Sequence, residues 1–200
     1  MVYLKINIRI VTLLEALPKT TVSLFYIMFM GSFFICKRRE NMFDMFKKKR
    51  DNDLYAPVIG ETIALENVPD KMFADKLMGE GIGFKFDGNT VCAPCDGKIS
   101  VITNTLHAFG ITADNGAEIL VHIGLDTVEL KGQGFKVITE VGKKVKKGTP
   151  IIEIDRDFMK QNNVNLITPM IITNSDDFNF DIEKGDKQVI AGESLVIRFR

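Results

Sequence analysis

Tryptophan is absent from this chain of 200 residues, histidine occurs only at positions 107 and 122, and cysteine only at 36, 92 and 95. The missing tryptophan decides nothing. Three scattered cysteines cannot build the dense disulfide framework of a small secreted domain, so a reducing compartment is expected. Cys92-Ala93-Pro94-Cys95 has the Cys-x-x-Cys spacing, but no second pair exists to complete a zinc site. A redox motif of that kind opens a helix, whereas Gly97 and a β-rich run follow here, so a buried, unreactive pair is expected. A zinc endopeptidase on a β scaffold would need a His-x-His pair with a further histidine, and there is no third.

Net charge is absent too, but the balance conceals an asymmetry. Residues 1–50 carry 10 basic and 3 acidic side chains, and the rest of the chain carries 16 and 23. An acidic body argues against nucleic acid as a partner and suits a basic protein surface. No apolar run reaches the ~20 residues needed to cross a bilayer as a helix. Residues 22–36 come nearest, with Lys37, Arg38 and Arg39 following them. As an anchor, that arrangement would keep the downstream body in the cytoplasm. No small-residue cleavage site marks a signal peptide.

Arg38-Arg39-Glu40 can be encoded as AGG-AGA-GAA, which contains a bacterial ribosome-binding sequence a few nucleotides before the codon of Met42. The expectation is therefore a start at Met42, with residues 1–41 a non-native upstream extension; a hydrophobic anchor is the competing reading. Residues 42–53 then form a basic, flexible tail. Within it, 42–50 place Met42, Phe43, Met45 and Phe46 beside four cations, suited to weak contact with an anionic membrane.

From Ala56 onward, short β-rich runs alternate with Gly, Pro, Asn and Asp. Strands are expected at 98–102, 109–113, 118–123, 150–154, 166–172 and 194–199, and short helical turns at 73–78 and 156–161. Ala56-Pro57-x-x-Gly60 is echoed by Ala93-Pro94-x-x-Gly97. An all-β antiparallel sandwich or barrel with pseudo-symmetric halves is the architecture this implies.

One hairpin links the two histidines. Asn115-Gly116 signals a two-residue type I′ turn, which sets Asp114 against Ala117 and Phe109 against His122. His107 then shares a face with His122 as a diagonal neighbour, at roughly 7–8 Å between backbones. A bulge would shift that register by one. Such a pair suits a metal site with Asp126 as third ligand, acid/base catalysis, or phosphoryl transfer. Phosphoryl transfer needs a neutral imidazole nucleophile, available near pH 7 because the ordinary pKa is about 6.5. It also needs hydrogen-bond donors for the phosphoryl oxygens, which the second histidine can supply.

Val121-His-Ile-Gly-Leu-Asp-Thr-Val-Glu-Leu-Lys-Gly132 resembles the active-site segment of glucose-type enzyme IIA (the EIIA type-1 domain) of the bacterial phosphoenolpyruvate-dependent sugar phosphotransferase system. Thr105-Leu-His-Ala-Phe109 resembles its second histidine motif, and the likeness runs through Val68-Pro-Asp-Lys-Met-Phe-Ala74, Gly79-Glu-Gly81 and Thr168-Pro169. It covers about residues 54–200. The resemblance implies a kinase-type phosphotransferase component, working in the cytoplasm during sugar uptake. His122 takes a phosphoryl group from the histidine-containing phosphocarrier protein and gives it to the IIB domain of a sugar permease. His107 supports the group and Thr105 orients His107. Asp70 and Asp126 meet basic residues of the donor. Leu106 stands where a polar residue is usual. An apolar face of Phe73, Met72, Met78, Phe109 and Val128 is expected to keep water from the phosphohistidine. No resident cofactor is expected; a zinc ion at His107 and His122 would need a partner's carboxylate. A biotinyl or lipoyl carrier, suggested by the Lys-rich turn at 141–150, lacks the modified-lysine motif.

Overall fold

The computed structural model of the protein describes residues 52–200. The expectations for 1–41, and for the basic tail up to residue 51, lie outside the described residues. The rest is all-β with every strand pair antiparallel, in one eight-stranded and two three-stranded sheets.

The strands are β1 (Leu54–Tyr55), β2 (Gly60–Ala64), β3 (Glu80–Phe86), β4 (Thr90–Cys92), β5 (Gly97–Ile102), β6 (Ala108–Ala113) and β7 (Glu118–His122). They continue with β8 (Phe135–Val137), β9 (Lys144–Val145), β10 (Pro150–Ile154), β11 (Met170–Ile172), β12 (Phe180–Ile182), β13 (Gln188–Val189) and β14 (Leu195–Phe199). The large sheet runs β13-β2-β3-β11-β7-β6-β5-β9; the small ones run β1-β14-β12 and β4-β10-β8. In the large sheet Ile99, Ile111, Ile119 and Ile172 point inward to one core, which they share with Val91, Ile152, Val196 and Ile197 of the small sheets. Most expected strands lie where the β-rich runs are. The run at 166–172 yields only Met170–Ile172, because Pro169 cannot donate to the ladder.

Two short α-helices interrupt the sheets. In α1 (Lys71–Ala74), Asp70 caps the first turn by accepting from the Met72 N–H at 2.8 Å, and Lys76, at φ 57°, ends it. It therefore starts earlier than the expected turn at 73–78. In α2 (Arg156–Gln161), Asp155 caps by accepting from the Phe158 N–H, and Met159 fastens the helix to the core.

The Ala-Pro-x-x-Gly echo is a real symmetry. Tyr55 N–H donates to the Pro94 carbonyl while Cys92 N–H donates to that of Pro57; Gly192 N–H bonds Ala56 as Gly148 N–H bonds Ala93. Gly60 pairs with Val189 as Gly97 pairs with Val145. At both glycines the facing strand comes too close for a side chain: a Cβ would lie 1.9 Å from the Lys85 oxygen at Gly60 and 2.5 Å from the Thr112 oxygen at Gly97. The pseudo-two-fold passes between β11 and β7. One half is contiguous, β4 to β10. The other is split into β1–β3 and β11–β14.

The hairpin register differs from expectation by one residue. Asn115 does not adopt positive φ; its Oδ1 accepts from the Ala117 N–H at 3.1 Å, and only Gly116, at φ 90°, is left-handed. The loop thus has three residues closed by Ala113 N–H to the Ala117 carbonyl, the turn-plus-bulge alternative to type I′. Ala108, not Phe109, faces His122, while Phe109 faces Val121.

Candidate functional site

His122 ends β7 on the outer face of the large sheet, with Leu120 and Gly110 on the same side. Its N–H donates to the Pro169 carbonyl of the neighbouring segment, and the chain then turns away through Ile123 and Gly124. The Gly124 carbonyl lies 2.7 Å from His122 Nδ1. A carbonyl can only accept, so Nδ1 carries the proton and Nε2 of the neutral ring keeps its lone pair. Two buried threonines hold this corner. Thr127 Oγ1 donates to the Ile123 carbonyl at 2.7 Å, and Thr168 Oγ1 donates to the Leu166 carbonyl while accepting from the Gly124 N–H at 3.4 Å.

His107 reaches His122 by a different route from the diagonal pairing. It lies outside β6, in a loop whose Leu106 has φ 58°, and its carbonyl accepts from the Ile123 N–H at 2.7 Å. The left-handed step compensates for the shifted register, and the ring centroids come to 4.8 Å at 68°. Two hydroxyls meet its Nδ1: Thr105 Oγ1 at 2.5 Å and Thr103 Oγ1 at 3.3 Å. Thr103 already donates to the Ala108 carbonyl, so toward His107 it can only accept. Thr105 has its proton to give. When it gives it, the proton of His107 itself sits on Nε2.

Burial pushes the pKa of His122 below the ordinary imidazole value; the Gly124 carbonyl and the charges of Asp70 and Asp126 act in the opposite sense without cancelling it. His107 is lowered by burial and then by the neighbouring His122. Burial thus favours the neutral form of both rings.

Phe73 of α1 sets its ring edge-on to His122, 5.3 Å between centroids, and is only 3% exposed. Beneath it lies a small second core of Ile63, Leu65, Val68, Leu125 and Ile171, with Met78 and Leu120 packed against it. Met72 (52% exposed) and Val128 (46%) stand out on the surface. Phe109 must be struck from this face: it is fully buried in the main core, because the shifted register turns it inward. Gly124, Thr127 and Thr168 lie inside the segments that carry the family resemblance but had no role assigned to them there, and Thr103 lies outside those segments. The Gly two residues after His122 and the Thr four before His107 were the available signals.

Among the described residues, no group of three or more His, Cys, Asp and Glu could hold a metal ion. Cys92 and Cys95 are buried free thiols. Burial, with Asp96 and Asp114 nearby, pushes Cys95 up to about 12, and Gly97 after it opens β5, not a helix. Among the described residues, no helix is long and apolar enough to cross a membrane.

Residues 52–178 match the family model described as phosphoenolpyruvate-dependent sugar phosphotransferase system, EIIA 1. The chain is 42% identical to the glucose-specific EIIA component of Staphylococcus epidermidis over 157 residues, 76% of this chain and 95% of that protein. It is 44% identical to the N-acetylglucosamine-specific EIICBA component of Klebsiella pneumoniae over 146 residues, 73% of this chain but only 22% of that longer protein. Among solved structures, glucose permease IIA from Mycoplasma capricolum superposes with a TM-score of 0.65 at 32% identity, covering 72% of this chain and 94% of that one. Fold and relatives together define a phosphoryl-transfer protein, a phosphocarrier of sugar uptake. Within that class, the chain belongs to the EIIA 1 family of the phosphoenolpyruvate-dependent sugar phosphotransferase system.

Proposed function

We infer that His122 Nε2 is the atom that carries the phosphoryl group. The observation behind this is the Nδ1–Gly124 bond, which leaves Nε2 as the ring's one lone pair. In the first step an N–P bond forms at Nε2 as the N–P bond to a histidine of the histidine-containing phosphocarrier protein breaks, and that imidazole leaves neutral. In the second, a cysteine thiolate of a permease IIB domain takes the group, forming S–P and restoring the neutral ring of His122. His107, with Nδ1 satisfied by Thr105, donates from Nε2 to the phosphoryl oxygens. Asp70 and Asp126 favour a basic docking surface on the donor, while Phe73, Met72, Met78 and Val128 keep water from the N–P bond. The transfer is kinase-type and cytoplasmic, with residues 42–50 in weak contact with an anionic membrane. The two histidines supply two ligands, so a zinc ion would bind only where a docked partner adds a carboxylate.

Labelling from phosphoenolpyruvate, enzyme I and the phosphocarrier tests the roles. His122→Ala abolishes the label. His107→Gln keeps a donor and is still labelled, while His107→Ala slows transfer by about 10²–10³, as for loss of one preorganised contact to developing charge. Label that survives in His122→Ala and vanishes in His107→Ala would reverse the assignment.

A further inference from the structure

Six non-glycine residues among those described have positive φ: Lys76, Leu106, Asp126, Lys131, Asn163 and Asp186. Leu106 is the one apolar residue in this set. Asparagine and aspartate tolerate the left-handed region because their short polar side chains bond locally, and glycine meets no Cβ penalty there; leucine has neither advantage. The backbone conformation itself is required. Leu106 N–H donates to the Thr103 carbonyl at 2.9 Å, Thr103 N–H donates to the Ala108 carbonyl at 2.9 Å, and the left-handed step between these bonds swings His107 against His122. What is not required is a leucine.

Packing accounts for only part of the choice. The side chain leans over Gly132, with Cδ1 and Cγ 3.8 and 3.9 Å from where a Cβ would stand on that glycine, yet the residue remains half-buried. It directly precedes His107 in the chain, and the loop it leans over follows the 3-10 turn Thr127–Leu130, which bears the exposed Val128. Any protein that exchanges a phosphoryl group with His122 has to cover two rings whose centroids are 4.8 Å apart. In doing so it covers the residue next to them. A strained conformation kept at such a place is the pattern of a functional contact.

We propose that Leu106 is a specificity-determining contact of the docking face, meeting an apolar side chain of the protein that delivers the phosphoryl group to His122. This rests on the phosphoryl-transfer reading above. The experiment uses the full chain with phosphorylated carrier protein as donor, comparing wild type with Leu106→Asn, Leu106→Gly and Leu106→Met. Asparagine and glycine keep the left-handed backbone and remove the apolar surface. Both should raise KM for the donor about five- to tenfold, as for one lost interface contact, with kcat unchanged and the label still on His122. Methionine restores the apolar surface and should keep KM near wild type. An unchanged KM in Leu106→Asn and Leu106→Gly overturns the proposal, as does a fall in kcat at constant KM, which would make Leu106 a positioning residue for His107. Absence of label on wild-type His122 would instead overturn the phosphoryl-transfer reading itself.

Discussion

A nucleophilic imidazole must be unprotonated, and burial secures this for His122 by holding its pKa below the ordinary value of about 6.5. Phosphoryl acceptance should therefore decline on the acidic side with a midpoint below pH 6.5, readable from initial labelling rates. The same shift bears on stability. Both histidines bind a proton less readily folded than unfolded, so their contribution is intact above the unfolded pKa and is lost as pH falls through the folded one. Urea midpoints should drop over that acidic window, and the drop should shrink in the His122→Ala, His107→Ala double variant. Thr105 makes a sharper case. Thr105→Val leaves Thr103 as the sole partner of His107 Nδ1, and Thr103 can only accept, which draws the ring proton off Nε2. Transfer should slow by about 10²-fold, with Thr105→Ser retaining most activity. Equal rates in Thr105→Val and wild type would remove Thr105 from the mechanism.

The element that presents Phe73 is a helix of four residues, too short to persist without help. Asp70 gives that help through its cap, and its charge also acts on His122. Asp70→Asn separates the two jobs, because an asparagine oxygen still caps. Stability should hold to within a few tenths of a kcal/mol in Asp70→Asn and fall by about 1 kcal/mol in Asp70→Ala, whereas donor KM should rise in both. Elements of this kind also mark the limits of a sequence reading. The runs at 98–102, 109–113 and 150–154 were legible because β-rich residues set between Gly, Pro, Asn and Asp are written in the sequence itself. The hairpin register was not. Asn-Gly favours a two-residue turn, and the deciding bond, from the Ala117 N–H to Asn115 Oδ1, is a choice between two local minima that composition does not express. The histidine pair was nonetheless foreseeable. The left-handed Leu106 that rescues it was visible only as a departure from a usual polar residue. The inward turn of Phe109 followed from the register and was lost with it.

At the scale of the molecule, the Ala-Pro-x-x-Gly echo was a faint sequence signal for a symmetry that pairs nearly every strand with a counterpart. It was faint because the constraint falls on backbone approach at Gly60 and Gly97 and leaves most other side chains free. Replacing either glycine by Ala should prevent folding, since a Cβ cannot share space with a facing carbonyl oxygen. The chain upstream of the sandwich bears differently on function. A protein beginning at Met42 should fold and take label as the 200-residue chain does, and a loss of labelling on shortening would give residues 1–41 a role.

The split half of the pseudo-symmetric pair has a kinetic consequence. Joining Ile82 of β3 to Met170 of β11 closes a loop around the whole contiguous half, whereas β5, β6 and β7 meet through short connections. Loop-closure entropy and contact order both favour the local half as the first to form. Pulse-labelled hydrogen exchange during refolding should protect the amides of Ile99, Ile111 and Ile119 before those of Ile63 and Ile82. The ring of His122 would then be in place before α1 arrives to cover it.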